Sequence, residues 1–159
     1  LMKKSLRKGL SFGLTSGVIT TLGLLVGLNS STHSAIAVIG GIVVIAIADG
    51  MSDALGIHVS EEAEAVHTTR EIWAATLSTF VAKFIVAISF VIPFLIADLN
   101  TAVIISIAWG FLLITTLSAY MAIRQDMKPH WVVLEHIGIG IAVVIVTHSV
   151  GLLVGSYTP

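Results

Sequence analysis

The sequence predicts an all-α, polytopic membrane protein with five transmembrane helices, its N-terminus inside and its C-terminus outside. Three observations carry that expectation. Of 159 residues, 56% are hydrophobic and only 11% charged, whereas a soluble domain carries about 25% charged residues. Apolar runs of about 20 residues, the length that crosses a hydrocarbon core, recur over roughly 10–28, 34–57, 73–97, 101–123 and 132–155. The basic residues Lys3, Lys4, Arg7, Lys8, Arg70, Arg124 and Lys128 all fall in the segments that this topology places inside (1–9, 58–72 and 124–131). The outer segments, 29–33, 98–100 and 156–159, hold none, and positive loops stay inside. Little remains outside the five runs, so residues 1–159 read as a single transmembrane domain.

The first run follows a cluster of basic residues, as a signal peptide would. Its length, its Gly and Thr content and the lack of a convincing cleavage site favour a retained span. It carries Gly13–Gly17 and Gly23–Gly27, small-xxx-small pairs that let helices approach closely. The second run is apolar except for Asp49 and Asp53. The connection 58–72 (HVSEEAEAVHTTREI) is acidic and rich in helix formers, so the second helix should continue past the membrane surface and turn near Thr68–Thr69. There Glu64 and His67 are i,i+3 neighbours, and Glu64 and Glu71 would share a face at i,i+7. Pro93 should kink the third run near its outer end. The fourth, with Ser106, Thr115, Thr116, Ser118 and Tyr120, reads as scaffold. The fifth carries Glu135, His136, Thr147, His148 and Ser149. Trp73 and Trp131 suit an interfacial belt. The chain has no cysteine, which excludes disulfides and thiolate metal ligands.

The buried charges bear most directly on function. A carboxylate in the hydrocarbon core costs about 2.5–3.5 kcal/mol on insertion scales, and Asp49 and Asp53 share one helix face. Counting along the second helix, Asp53 lies about 7–8 Å and Asp49 about 13–14 Å deeper than His58. Lys83, the eighth basic residue, sits inside the third run at a similar depth to Asp49. An Asp49–Lys83 ion pair is therefore expected as a structural alternative, one that would leave Asp53 less compensated. In the sharper reading Lys83 competes with a transported cation or proton for the aspartates. His58, Glu61, Glu64 and His67 form a possible cation-collecting vestibule, or merely a solvated helix end. His148 is a possible outer-side ligand or proton carrier, or a hydrogen-bonding partner for a neighbouring helix.

Four segments, GLTSGVITTLGLLVGL (13–28), ADGMSDALGIHVSEEAE (48–64), WAATLSTFVAKFIVAISFVIP (73–93) and LEHIGIGIAVVIVTHSVGLLVG (134–155), resemble the vacuolar iron transporter family over nearly the whole chain. The chain departs from the family at several positions. The first-span aspartate of the family falls on Ser16, its second-span methionine on Asp53, and its following tyrosine on His58. Lys83 replaces an apolar residue. The connection between spans two and three is too short for the cytoplasmic metal-binding domain of longer members. The resemblance implies a homodimer with an ion path at its interface, lined by spans one and two.

The leading expectation is transport of a divalent transition-metal cation of the Fe²⁺ or Mn²⁺ type, coupled to protons. Asp49 and Asp53 would be the ligands, and Ser16 and Ser52 the auxiliary oxygen donors. Oxygen ligands suit Mn²⁺, Mg²⁺ and Ca²⁺ as well as Fe²⁺. The metal would be cargo, with no permanently bound cofactor. The expected partners are the lipid bilayer, a second copy of the chain and metal ions, with no nucleic acid, and the expected setting is a prokaryotic cell membrane. The alternative is a non-transporting scaffold or assembly protein stabilised by an Asp–Lys pair. No enzymatic motif appears.

Overall fold

The computed structural model describes residues 2–157, and the side chains of residues 4–157. The described residues form six helices: α1 (Met2–Thr32), α2 (Ala35–Ala63), α3 (Thr69–Ser89), α4 (Ile92–Ile96), α5 (Leu99–Arg124) and α6 (Pro129–Gly155). No strand occurs among the described residues. Because α3 and α4 together make one crossing, Thr69–Ile96, five segments are long and apolar enough to span a bilayer. These segments make the chain an integral membrane protein by length and composition.

Local chemistry sets the helix ends. Ser34 caps α2 by accepting from the Ala37 N–H. Thr68 and Glu71 form a reciprocal capping box that starts α3, the arrangement that satisfies two orphan N–H groups at once. Asp98 caps α5, and its bonds to Thr101 hold its carboxyl below the usual carboxylate range. The helices outrun the apolar segments because hydropathy falls off before any breaker appears. Lys3 to Gly9 extend α1 ahead of its apolar run, and His58 to Ala63 extend α2 beyond its own. The third crossing breaks at Phe90–Val91, where i→i−3 bonds tighten the chain ahead of Pro93. The proline therefore interrupts the helix, beyond the kink expected of it.

The glycines of α1 organise the packing. At the basic end, Gly9, Gly13 and Gly17 form an i,i+4 row against α3. A Cβ on Gly13 would lie 2.4 Å from the Thr79 carbonyl oxygen, and one on Gly9 would lie 2.3 Å from that of Ala75. This near-contact lets Thr79 Oγ1 donate to the Gly9 carbonyl at 3.2 Å and Ser78 Oγ to that of Leu6 at 3.3 Å. Toward the other end, Gly23 and Gly27 turn to α6, whose Gly151 comes equally close to the Gly27 carbonyl. Half of the most apolar stretch of α1 is buried, against 11% of that of α6, so α1 is the central helix and α6 the peripheral one. Val18, Leu22 and Leu25 of α1 form the core with Val38 and Ile42 of α2, Phe90 at the end of α3 and Ile114 of α5.

Gly13→Ala should therefore destabilise the bundle by about 1–3 kcal/mol, the range for overpacking, since backbone at Thr79 cannot yield. Gly40→Ala, where an added Cβ meets nothing within 4 Å, should instead stabilise α2 by about 1 kcal/mol. Unfolding of both variants in the same detergent measures the contrast.

Candidate functional site

The α1–α3 contact decides where Lys83 goes. A Cβ on Gly17 would lie 3.2 Å from Lys83 Cγ, so the lysine stem lies against the bare backbone of α1 and its head reaches past Ser16 toward α2. On α2, the buried row Val38, Ile42, Ala46, Gly50, Ala54, Ile57, Glu61 packs inward, with Gly50 seated on the Phe80 ring. Asp49 and Asp53 flank that row, one helical turn apart, and meet the lysine at the edge.

The resulting cluster has four members. Lys83 Nζ donates to Asp53 Oδ2 at 2.5 Å and to Ser16 Oγ at 2.9 Å. Ser16 Oγ donates in turn to Asp53 Oδ2 at 2.6 Å. Asp49 Oδ2 also lies 2.5 Å from Nζ, but as an ion contact without hydrogen-bond alignment, and it has no other partner. The expected Asp49–Lys83 pair is present, but Asp53 lies equally close and is not the less compensated of the two, because it also accepts hydrogen bonds from Lys83 and Ser16. Lys83 is 1% exposed, whereas the Asp49 and Asp53 side chains are 29% and 19% exposed. The lysine is sealed and the carboxylates have an open flank. Asp49 is the central residue of α2, and Lys83 lies fourteen residues into the third crossing, so the cluster occupies the middle of the bundle. Two carboxylates against one ammonium give it a formal charge of −1. Ser52, expected as a further oxygen donor, is exposed on another face of α2 and makes none of these contacts.

A second cluster lies at the basic end. Lys8 Nζ donates to Glu61 Oε1 at 2.6 Å and to Glu64 Oε1 at 2.9 Å. His67 Nε2 lies 3.0 Å from Glu64 Oε2 and 3.6 Å from Glu61 Oε2. Glu61, Glu64 and His67 can bring one ligand atom each within 4.8 Å of one another, and Glu61, at 1% exposure, leaves Oε2 without a hydrogen bond. The Lys8 hydrogen bond, followed by that of His67, lowers the Glu64 pKa from its ordinary 4.5. A lowered carboxylate stabilises the fold at pH above that ordinary value and loses its contribution as the pH falls through the folded value.

Several expected members lie elsewhere. His58 is not part of the second cluster, since Nδ1 pairs with Thr76 Oγ1 at 2.9 Å and the ring packs edge-on to Trp73. Glu71 does not share a helix face with Glu64, because α2 ends at Ala63 and Glu71 belongs to the next capping box. His148 Nδ1 is bonded to Ser30 Oγ at 2.6 Å, joining α6 to α1. Lys8, missed as a site residue, was legible only as one of four basic residues at the N-terminus. Its partners lie 53 and 56 residues away.

Lys83→Met should cost about 3–5 kcal/mol, the range for removing one partner of a buried ion pair. Asp53→Asn should destabilise more than Asp49→Asn, by about 1–2 kcal/mol, because only Asp53 loses charged hydrogen bonds. Thermal unfolding of the three variants at neutral pH reads both the size and the order. No known protein family, curated protein or solved structure matches the chain.

Proposed function

We propose that this chain is a divalent-cation transporter of the Fe²⁺ or Mn²⁺ type, proton-coupled and related to the vacuolar iron transporters. On this reading it sits in a prokaryotic cell membrane with its basic, N-terminal end inside. The observation that supports it is the central cluster: two carboxylates and a hydroxyl converge at mid-bundle on an open flank, with one lysine for two acids. Intramembrane ionisable groups with this arrangement mark ion pathways and proton relays. A divalent ion between Asp49 and Asp53 would neutralise both, and hard oxygen donors suit it. Lys83 is then a tethered competitor that keeps the carboxylates satisfied between cycles. The cluster of Glu61, Glu64 and His67 would collect cations at the inner mouth.

Flux into proteoliposomes tests this. Wild type should carry Fe²⁺ or Mn²⁺ and acidify or alkalinise the lumen in step, while Asp49→Asn with Asp53→Asn should lower the rate at least tenfold. Undiminished flux in the double variant would remove the site, and absence of flux for both metals in the wild type would remove the function.

One observation favours a second reading, a non-transporting scaffold. Lys83 is sealed and hydrogen-bonded on two sides, as a structural pair would be. Asp49→Lys with Lys83→Asp separates the two. A swapped protein that folds and assembles normally, paired with a wild type that carries no metal, supports the scaffold.

The same reading includes a homodimer. Gly40, Ala48, Ser52 and Gly56 are exposed at four- and eight-residue intervals on one face of α2, and nothing lies within 4 Å of a Cβ on Gly40 or Gly56. Such rows suit close helix pairing in lipid. A second copy docked there would bring the flank of Asp49 and Asp53 to a shared path. Ala48→Leu with Gly56→Leu should convert the dimer to monomer in native mass spectrometry.

A further inference from the structure

At the basic end, a cavity of about 820 Å³ opens between α1, the end of α2 and the end of α5. Its charged lining includes Lys4, Arg7, Lys8 and Arg124 against Glu61 and Glu64. Lys8 is already engaged by both glutamates. Lys4, Arg7 and Arg124 have no carboxylate within ion-pair distance among the described residues, and Arg124 turns to Tyr120, bonding its hydroxyl and lying over its ring. Ser5, 2% exposed in the same wall, has a buried hydroxyl without a partner. Deeper in, Leu10, Leu14, Leu117 and Met121 make the wall apolar.

We infer that this cavity seats an anionic phospholipid, with its phosphate between Arg7 and Arg124 and an acyl chain along Leu10, Leu14, Leu117 and Met121. Each part of the lining has a counterpart in that ligand. The unpaired cations need an anion. An apolar inner wall continuous with a charged rim matches a headgroup with its chain attached, which a free phosphate lacks. Basic pockets between transmembrane helices recognise anionic headgroups in this way. The inference is independent of what the central cluster carries. The headgroup would also offer Lys8 an oxygen acceptor in place of Glu61 and Glu64.

Native mass spectrometry of the full chain with phosphatidylglycerol, with phosphatidylcholine and with inorganic phosphate tests it. Wild type should retain phosphatidylglycerol well above phosphatidylcholine and gain nothing from inorganic phosphate. Arg7→Gln with Arg124→Gln should lower the preference by about thirtyfold, about fivefold per charge. Arg70→Gln with Lys128→Gln removes two exposed basic residues that do not line the cavity, and should leave the preference within about twofold, the variation of a peripheral charge. An equal loss in both pairs would mean general attraction to a basic rim and would overturn the site. So would equal retention of the two lipids by wild type, or competition by inorganic phosphate. If the first pair unfolds, Leu10→Trp, which keeps every charge and fills the apolar wall, should lower lipid retention alone, and unchanged retention would again overturn the proposal.

Discussion

An ammonium group in the middle of an apolar bundle needs a counter-charge in direct contact, and Lys83 has two. Most of the inner architecture follows from meeting that need. The lysine cannot reach water, so α2 must bring a carboxylate to it, and α1 must come close enough for Ser16 to complete the shell. The glycine row Gly9–Gly13–Gly17 makes this possible by removing side chains along the α1–α3 seam. The hydroxyl bonds of Ser78 and Thr79 to α1 carbonyls then fix the register. If that seam opened by the width of a methyl group, Ser16 would leave hydrogen-bond range and two acids would share an incompletely surrounded cation.

The aspartates are held more loosely than the lysine. They stand at the edge of the α2 packing row and keep part of their surface exposed. The asymmetry in exposure gives the cluster two unlike sides: a fixed cation on the inner one and accessible oxygens on the outer one. A purely structural pair would gain by sealing both. On the proposed reading, a binding site for a mobile ion needs one side open, and the excess carboxylate would keep the site attractive to a cation even while Lys83 is in place.

Hydropathy and charge placement made the five crossings legible, and depth counting along two helices matched Lys83 with the aspartates before any coordinates. The caps were also present in the sequence: Ser34 at the start of the second apolar run, and Thr68 with Glu71 and Asp98 just ahead of the third and fourth. What could not be read was azimuth. Depth does not say how carboxylates a turn apart share a lysine on another helix: both touch Lys83, and only Asp53 also takes a hydrogen bond from Ser16. Likewise the paired glycines of α1 signalled close packing without saying that the two ends of the helix serve different partners. His58 looked like a vestibule ligand because it is near the glutamates in sequence. In three dimensions its nearest company is Thr76 and Trp73, across the turn to α3.

The two acidic clusters repeat one arrangement at different depths of α2: a pair of carboxylates bridged by a lysine from another helix. Asp49, Asp53, Ile57 and Glu61 are spaced four apart, so the acids wind slowly around α2, from the edge of its buried row at Asp49 and Asp53 into that row at Ile57 and Glu61. The bridging lysines differ in freedom. Lys8 is 41% exposed and Lys83 is 1% exposed, so Lys8 can swing into water when its glutamates take another partner, whereas Lys83 has nowhere hydrated to go. On the proposed reading, a cation would displace Lys8 by rotation. At the Lys83 station it could be accommodated only with loss of a proton or a shift of the α1–α3 seam. Coupling of the cation to protons would then arise where the bundle is tightest, because that is where a charge cannot be moved without being changed.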